Sequence, residues 1–413
     1  MGRSFGYLWS STALSNLADG VLKVGAPLLA VSMTRSPTLV SLVGAAATAP
    51  WLLFALYAGA VADRADRRRV MVVANVARAA VLAVAGVLAL LGLLDLWLLL
   101  AALLIAGVSE VFADLSAQSV LPMTVPESDL TRANGRVSTA QMIGNDFVGA
   151  PVAGLLVAAL PAVVFGGPAL LYGAAGLLLL GMRGTYRLAP GTEGRRPVRR
   201  DIGEALRYLW SHRMLRSLAV AAGTLNLAMA AYWAVFVLWV VGDGSRMGLE
   251  PRAYGLMMTT FAAGAVLGSL VSGRASALFG EFRTLVGAWL VSSLLHLVPV
   301  IAPTPWALYP TAVLWGVTGA AANVLVISTR QRLIPAELLG RVNSAYRLVG
   351  MAGMPLGAAL GGVMAEFAGL GAVLVGASGV CLVGVGHVWR AGSGRISRPL
   401  TSEPTLSDIS RSR

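Results

Sequence analysis

The sequence predicts an all-α membrane protein in which twelve transmembrane helices form two pseudo-symmetric six-helix bundles, with both chain ends in the cytosol. Three observations support this prediction: the apolar runs, the placement of the arginines and an internal repeat. Of the 413 residues, 57% are hydrophobic and only 12% are charged, whereas a soluble domain carries about 25% charged residues. Apolar runs of about 18 or more residues indicate transmembrane helices. Twelve such runs are present, at residues 5–33, 38–61, 70–92, 96–119, 137–160, 162–182, 215–241, 253–275, 284–302, 306–329, 344–366 and 369–390.

The formal net charge of +13 comes from arginines that occupy alternate loops. With the N-terminus in the cytosol, the cytosolic loops hold nearly all of them, and the outer loops hold only Arg35, Arg246 and Arg252. This bias is the positive-inside rule, which places both termini inside. The basic charge therefore orients the chain in the lipid bilayer, and no nucleic-acid partner is expected.

The two halves of the chain resemble each other at a nearly constant offset. NLAD at Asn16 matches NLAM at Asn226, 210 positions later, and VPESDLTRAN ending at Asn134 matches IPAELLGRVN ending at Asn343, at an offset of 209. Six helices plus six is a transporter architecture with the binding site between the halves. The predicted units are a first bundle over 1–182, a basic cytosolic linker over 183–214, a second bundle over 215–390 and a disordered cytosolic tail over 391–413.

The linker contains the stretch DIGEALRYLWSHR, which predicts a short amphipathic helix. Asp201 and Glu204 have the spacing of a capping box at a helix start. The apolar residues that follow share one helical face, and we expect that face to lie on the cytosolic membrane surface. An extension of the seventh transmembrane helix is the alternative. The residues of the apolar face are Ile202, Ala205, Leu206 and Leu209.

A basic motif joins the second and third predicted helices. The stretch GAVADRADRRRV, residues 59–70, fits the G-x-x-x-D-R-x-x-R-R signature of the major facilitator superfamily, and the whole chain resembles that superfamily in its twelve helices and its repeat. In physical terms the glycine allows close helix packing. The aspartate can cap a neighbouring helix, and the arginines can pair with acids on the cytosolic rim. The resemblance implies a cytosolic latch made of Gly59, Asp63, Arg64, Arg67 and Arg68.

Within the superfamily the chain resembles the bacterial drug, macrolide and siderophore exporters, through LPMTVPESDLTRAN and the following GAPVAG. The fifth helix keeps Pro151 and Gly154 of the antiporter pattern G-x-x-x-G-P-x-x-G-G but has Ala150 and Ala153 in place of glycines. The fourth helix has ALLIA before Gly107, without the arginine of the better-known drug antiporters. These departures fit the macrolide and siderophore exporters better. The resemblance implies an antiporter of the multidrug-efflux type in the cytoplasmic (inner) membrane of a bacterium, driven by a proton gradient and without a bound cofactor.

The first predicted helix carries polar residues in its middle. Asn16, Asp19, Gly20 and Lys23 stand at positions i, i+3, i+4 and i+7, which is one face of a helix. An acid near the bilayer centre costs roughly 2.5–3.5 kcal/mol, so Asp19 is expected to face a cavity or a charged partner. Lys23, one turn away, is the expected partner. The alternative is that the two charges only neutralise each other and fix a helix interface.

The third to fifth helices add further ionisable side chains. Arg78 and Asp114 lie at similar depths, which predicts a buried pair and either a structural role for Asp114 or a part in the latch. Glu110 lies deeper without an obvious cationic partner, and burial favours the neutral form of such an acid, as a proton carrier requires. Glu110 is therefore the first candidate for the proton, and Asp19 for substrate binding or gating. The proton-coupling candidates are Glu110, Asp19, Asp146 and Asp114.

The second half has no acid deep in its helices. The repeat aligns Asp19 with Met229 and Asp114 with Asn323. This asymmetry predicts that the first half handles protons and that the more aromatic second half helps to hold an apolar ligand. A lone helix histidine such as His296 is more often a packed residue than a proton relay. The candidates for the substrate cavity are Asn16, Asp19, Gln141, Asn145, Asn226, Trp233, His296, Asn323 and Tyr346.

These observations predict a secondary active transporter that exports amphipathic small molecules, such as drugs, secondary metabolites or siderophores, in exchange for protons. An importer or facilitator of a nutrient or metabolite on the same fold is the alternative. A membrane enzyme or receptor is a further alternative, but the sequence has no H-E-x-x-H, P-loop or G-x-S-x-G motif. Cys381 is the only cysteine, so no intramolecular disulfide and no cysteine metal site is expected. Two GxxxG glycine pairs are attributed to packing inside the bundle, and a monomer is expected.

Overall fold

The computed structural model describes residues 2–160, 162–187, 198–335 and 338–393, which are almost entirely helical. Within them, twelve spans are long and apolar enough to cross a membrane, so the predicted all-α, multi-pass membrane fold is confirmed. The first half contains α1 (Arg3–Met33), α2 (Pro37–Arg64), α3 (Arg67–Leu90), α4 (Leu96–Thr124), α5 (Leu130–Met142), a π-helical segment (Ile143–Gly149), α6 (Ala150–Ala159) and α7 (Val163–Leu180). The linker helix α8 (Val198–Ser211) precedes α9 (Arg213–Val240), α10 (Pro251–Phe279), α11 (Glu281–Leu295), α12 (Val298–Ile301), α13 (Pro305–Leu333), α14 (Leu339–Ala368) and α15 (Leu370–Ser393).

Two of the twelve spans are interrupted. The fifth consists of α5, the π segment and α6, and the ninth consists of α11 and α12. Single π turns inside α-helices occur mostly at functional sites. In the ninth span α11 ends before His296, and Pro299 follows in α12 without a backbone donor for a continuous helix. These two interruptions were not predicted, because the apolar runs continue through both of them.

The helices of each half pack mainly among themselves. In the first half α3 packs on α4 and α7, and α1 packs on α7; in the second half α9 packs on α14 and α15, and α10 on α13. Glycines permit the closest of these contacts: a β-carbon at Gly264 or Gly268 would collide with the backbone of Val313 or Val317. The glycine pair of α14 lies against α9 in the same way. Both GxxxG pairs therefore serve packing inside the second bundle, as predicted.

The chain turns at two faces of the molecule. Residues 65–66, 125–129, 280 and 334–335 form one face, which we call the basic face. The other face, which we call the opposite face, is formed by residues 34–36, 91–95, 241–250, 302–304 and 369. Near the opposite face α6 packs on α10 and α2 packs on α14 and α9, whereas α5, the basic half of the fifth span, makes no comparable contact with α10. At Gly59, close to the basic face, a β-carbon would meet no atom within 4 Å. The predicted close packing of Gly59 is thus absent, and the space between the bundles opens toward the basic face.

The predicted amphipathic helix of the linker is present as α8, but it lies against the protein. Ala205 and Leu209 are buried in one cluster with residues of α9, α13 and α14. The second bundle therefore covers the apolar face that was expected on the membrane surface. The helix already includes Val198, so Asp201 does not start it, and His212 separates it from α9. Of the predicted tail, residues 391–393 belong to α15, and residues 394–413 lie outside the described part of the chain.

The orientation predicted from the arginines can be tested with two introduced cysteines. In a Cys381→Ser background, we expect Asp243→Cys, exposed on the opposite face, to react with an impermeant thiol reagent in intact cells. Ser128→Cys, exposed on the basic face, should react only after the membrane is permeabilised. The reverse pattern of labelling would place the basic face outside and contradict the interpretation of the arginine bias.

Candidate transport site

Four helices of the first bundle bring ionisable side chains together around Arg78. Arg78 of α3 is 1% exposed, and its Nη2 atom donates to Oδ1 of Asp19 in α1 and lies 3.4 Å from Oε2 of Glu110 in α4. Tyr172 of α7 donates its hydroxyl to the same Asp19 oxygen at 2.6 Å. The Tyr172 ring centroid lies 3.9 Å from the Arg78 guanidinium carbon. One cation therefore serves two carboxylates, and Asp19 is held by two partners.

The predicted pair between Asp19 and Lys23 does not form. The Lys23 ammonium group lies 3.4 Å from Oδ1 of Asp146, and these side chains are 70% and 41% exposed. Asp146 belongs to the π segment, which packs directly on α1 because a glycine leaves room: a β-carbon at Gly20 would lie 2.6 Å from the Cα atom of Asn145. The π turn thus places an acid beside Lys23, and a pair this exposed contributes little to stability.

The predicted pair between Arg78 and Asp114 is also replaced, because the guanidinium group binds Asp19 and Glu110. Glu110 therefore has a cationic partner that its sequence position did not reveal. Its side chain is 32% exposed, compared with 17% for Asp19. Glu110 is the more accessible carboxylate of the two and has the longer contact with Arg78, whereas Asp19 is the more firmly held.

A polar cavity of about 220 Å³ lies beside this cluster, between α1, α3, α4 and α5. The Nε and Nη1 atoms of Arg78 are buried there without a hydrogen-bond partner among the described residues. Asn145, whose side-chain amide donates to Oδ1 of Asn16 at 3.1 Å, ties the π segment to the cavity wall. The cavity therefore presents amide, hydroxyl and carboxylate groups to a polar ligand group, beside a buried guanidinium group with two unused donors. Its polar lining includes Asn16, Asn75, Arg78, Asp114, Gln118 and Gln141.

The aromatic residues of the second half form a packed core. His296 is 4% exposed; its ring stacks on Trp315 at a centroid separation of 4.8 Å and meets Tyr232 edge-on. Trp233, which is half-buried, packs on Trp315 at 5.6 Å. His296 is therefore a packed residue in this conformation, as expected for a lone helix histidine. It does not line an open substrate cavity.

Two further cavity candidates of the second half are also engaged in structure. Asn226 donates its side-chain amide to the carbonyl of Gly350 at 2.9 Å. Tyr346 is buried and donates its hydroxyl to the carbonyl of Leu218 at 3.3 Å. Asn323, in contrast, is exposed on α13. Of these three, Asn323 has the most exposed side chain.

A cation of the second bundle faces the acids of the first, and sequence reasoning missed it. The guanidinium carbon of Arg347 in α14 lies 5.9 Å from the ring centroid of Trp51 in α2. The Trp51 side chain lies beside Glu110, and Arg347 is close enough to attract the charge of Asp114. The signal was present, because a charged residue inside a membrane span is costly and usually functional. The cluster of charges therefore extends across the gap between the bundles.

The arginines of the basic motif bind within the first bundle in this conformation. Arg68 donates from Nε and Nη2 to the carbonyls of Leu179 and Leu180, at 2.8 and 2.6 Å, at the end of α7. Arg67 is 4% exposed, and its Nη1 atom donates to the carbonyl of Ser119 in α4 at 3.3 Å. A cation is favourable at a helix C-terminus. Arg68 thus binds carbonyls at a helix end, whereas the sequence had predicted acids as partners.

The aspartate that caps α3 is Asp66, whose Oδ1 atom accepts a hydrogen bond from the backbone amide of Arg68 at 3.0 Å. The predicted latch aspartate, Asp63, is part of α2, and its side chain lies outside the described part of the structure. Arg64 is exposed at the end of α2. The expectation that Asp63 caps a neighbouring helix therefore remains a prediction.

Contacts at the opposite face hold the two bundles together there, and they were not predicted. Glu366 of α14 accepts hydrogen bonds from Oγ of Ser36 at 3.0 Å and from the amide of Thr38 at 3.3 Å, at the start of α2. Arg35 donates to the carbonyl of Val241 at 2.9 Å, at the end of α9. Anions at helix N-termini and cations at C-termini are both favourable. Each bundle thus supplies one charge that caps a helix of the other.

The Glu366→Ala variant is expected to open at the opposite face several-fold more often than the wild-type protein, because α2 loses its capping acid and the bundles lose a shared contact. Spin labels at Leu93→Cys and Asp243→Cys, in a Cys381→Ser background, report the separation of the bundles at that face. The variant should show an added population at longer distance. Glu250→Ala is the matched control, since Glu250 is exposed at the same face and pairs with Arg252 of its own bundle. Identical distance distributions for Glu366→Ala and the control would rule out this gate.

Comparisons with known proteins agree with this architecture. The model of the transmembrane secretion effector family matches residues 2–392. Relatives named enterobactin exporter EntS, from Shigella boydii serotype 4 (strain Sb227) and from Escherichia coli O1:K1, are each 26% identical to the chain; each alignment covers 90% of this chain and 88% of the relative.

Solved structures of transporters share the fold. The nucleoside transporter NupG has a TM-score of 0.76 at 13% identity, covering 94% of this chain and 100% of that one. A bacterial homologue of the iron transporter ferroportin, in an inward-facing state, has a TM-score of 0.71 at 16% identity, covering 95% of this chain and 99% of that one. The family match extends over nearly the whole sequence. The chain therefore belongs to the transmembrane secretion effector family of the major facilitator superfamily, and it is a transporter and not an enzyme.

Proposed function

We propose that the protein exports amphipathic small molecules, with siderophore-like compounds foremost, in exchange for protons. The observation that carries this proposal is the sharing of Arg78 by Asp19 and Glu110. Two carboxylates that share one cation repel each other, and the uptake of one proton relieves the repulsion. Glu110 is the more exposed of the two and the less tightly bound, so we assign the exchanged proton to Glu110. Asp19, held by Arg78 and Tyr172, then anchors the cluster.

The charge on Glu110 also has a route to the second bundle. Arg347 of α14 lies over Trp51, whose side chain is beside Glu110. Ionised Glu110 accepts a side-chain hydrogen bond from Trp51, and Arg347 lies over the Trp51 ring. A ligand or proton shifts an equilibrium between two conformations only by its differential interaction with them. The contact between Trp51 and Arg347 supplies such a difference, because bundle movement changes the distance between these residues. Asp114, which Arg347 attracts, is a second candidate for this role.

The amphipathic character of the substrate is inferred from the composition of the site. The cavity beside Arg78 offers amides to a polar group, next to buried guanidinium donors without a partner among the described residues. The space between the bundles is bounded elsewhere by apolar helices, and the half-buried Trp233 belongs to the aromatic cluster of the second half. A substrate with one polar end and one apolar body satisfies both regions. The exchange needs no bound cofactor, because a proton gradient supplies the free energy.

Export is favoured over import by the comparisons. The family is described as a secretion effector family, and the relatives at 26% identity are named enterobactin exporters. Enterobactin is therefore the first substrate to test. The bacterial relatives and the twelve apolar spans support a place in the cytoplasmic (inner) membrane of a bacterium. A monomer suffices for this function, because the proposed site lies within one chain.

The proposal is tested by secretion from bacterial cells that lack their own exporters. Cells that synthesise enterobactin and express the wild-type protein should release more of it than cells with the vector alone. Glu110→Gln should lower this release below the wild-type level at equal expression, because the proton-driven part of export is lost. Glu250→Gln, which changes an exposed acid at the opposite face, should behave like the wild type. Net uptake by the wild-type protein, with no secretion, would support the importer alternative and contradict the proposal.

A further inference from the structure

A groove of about 820 Å³ lies on the first bundle, apart from the transport site. Its walls are α2 and α3, and its floor is α4. These two walls are neighbours in the chain, yet they make little contact with each other, while each packs closely on α4. The groove is therefore a cleft between adjacent helices, closed from below and open along its length.

The groove faces the lipid, not the space between the bundles. Val73 in its wall is 67% exposed, and Tyr57, whose ring packs edge-on to Phe112 of the floor at 6.0 Å, is 63% exposed. Both belong to membrane-spanning helices. Exposed apolar side chains in such helices are covered by lipid chains in the bilayer. The acids of the transport site lie on other faces of these helices, and none of them lines the groove.

The mouth of the groove at the basic face carries three arginines. Arg64 ends α2, Arg69 lies in the first turn of α3, and Arg187 follows α7. All three side chains are exposed, and within the described ranges none of them forms a hydrogen bond or ion pair. The acid among the groove residues, Asp66, is occupied as the cap of α3. The mouth thus holds three free cations beside one engaged anion, at the basic face, where the membrane-spanning helices α2 and α3 meet.

We propose that this groove binds one anionic phospholipid, whose phosphate the arginines hold and whose acyl chain lies in the apolar cleft. Guanidinium groups bind phosphate oxygens with paired hydrogen bonds. Basic pockets between transmembrane helices are known to hold acidic lipid headgroups. Both chemical requirements of such a lipid are met in one continuous site: a cationic mouth at headgroup level and an apolar trough that runs into the membrane. The site does not depend on the transported substrate.

The bound lipid would act on the basic motif. Arg64 and Arg69 flank the turn between α2 and α3, and between them α3 begins with Arg67 and Arg68, which bind α4 and α7. A chain in the cleft fills the space into which α2 would have to move to approach α3. The lipid therefore supports the splayed arrangement of these two helices.

The experiment measures lipid retention directly. The protein is incorporated into nanodiscs of phosphatidylethanolamine with either phosphatidylglycerol or phosphatidylcholine, released into mild detergent and weighed by native mass spectrometry. Wild-type protein should retain one phosphatidylglycerol and much less phosphatidylcholine. Arg64→Gln with Arg69→Gln should weaken retention of phosphatidylglycerol by roughly fivefold for each arginine removed. Arg132→Gln with Arg213→Gln, two exposed arginines elsewhere at the basic face, is the control and should retain the lipid.

A second pair of variants tests the acyl-chain cleft. Ala77→Phe places a ring in the groove and should also lower retention, whereas Ala80→Phe, exposed on the same helix outside the groove, should not. The substituted side chains lie on the surface of the bundle, so the two arginine variants and the two phenylalanine variants should all remain monodisperse. Size-exclusion chromatography checks this. Equal retention of both lipids, or equal loss from the arginine variant and its control, would overturn the proposal. Displacement of the lipid by inorganic phosphate, together with full retention of the lipid by Ala77→Phe, would also overturn the proposal, because the site would then bind free phosphate.

Discussion

Arg78→Gln is expected to destabilise the protein more than any other single change in the charge cluster. Arg78 is 1% exposed and is the shared partner of Asp19 and Glu110. Removal of one member of a buried ion pair leaves the other charge without compensation and typically costs about 3–5 kcal/mol. The Tyr172 ring also loses the cation that lies 3.9 Å from its centroid. We expect a clearly lower thermal transition in detergent and a reduced yield from the membrane.

The expected loss is electrostatic, so a second substitution should reverse part of it. Asp19→Asn added to Arg78→Gln removes one unpaired carboxylate and should recover a large share of the lost stability. Arg132→Gln serves as the control, because Arg132 is exposed at the basic face. A transition for Arg78→Gln equal to that of the control, or a double variant no more stable than Arg78→Gln, would mean that the cluster does not hold these helices together.

Glu110→Gln is expected to abolish proton-driven accumulation of substrate while leaving the protein folded. Glutamine has the shape of glutamate, and Arg78 keeps Asp19 as its partner. Substrate flow down its own gradient should continue, whereas flow against that gradient under an imposed pH difference should stop. Proteoliposomes measure both flows on the same preparation. The pattern separates coupling from binding, because a binding defect would reduce both flows together.

Asp114→Asn is the informative comparison for Glu110→Gln. Asp114 lines the polar cavity and is attracted by Arg347, but it does not share Arg78. We expect this variant to keep coupling and to show weaker substrate affinity. If Asp114→Asn loses coupling and Glu110→Gln keeps it, the proton belongs to Asp114, and our assignment within the cluster is wrong.

The architecture was predictable from the sequence because its signals are local. A membrane helix is specified by the length and polarity of one segment, and the arginines and the repeat add orientation and symmetry. α4 and α13 each contain 29 residues and begin at Leu96 and Pro305, which reproduces the 209-residue offset of the repeat. The interruption at the π segment was not visible, since it depends on the close contact of Gly20 with the backbone of Asn145.

The charge partners were not predictable, because they depend on how neighbouring helices are rotated. Lys23 lies one turn from Asp19, yet its side chain forms an ion pair with Asp146 instead. Tyr172 gave no signal, since a tyrosine in an apolar span is an ordinary core residue until an acid is found beside it. The bond from Ser36 to Glu366 joins residues 330 positions apart. No periodicity or spacing in the chain encodes such contacts.

Arg347 is a different case, because its position inside an apolar span was a usable signal. Arg347 falls near the start of the span predicted over 344–366, and it was not among the predicted site residues. The structure brings it to Trp51 and the acids of the other bundle. A charge several residues inside a predicted span is better treated as a site candidate from the start.

Proton movement measured alongside substrate movement shows whether transport is coupled to protons. Proteoliposomes that contain the protein and an internal pH-sensitive dye are given a gradient of enterobactin with no initial pH difference. Proton-coupled exchange predicts that substrate entering the vesicles drives protons out, with an internal pH rise that the wild-type protein produces and Glu110→Gln does not. Enterobactin that enters at an undiminished rate with no pH change in the wild-type vesicles would contradict the account.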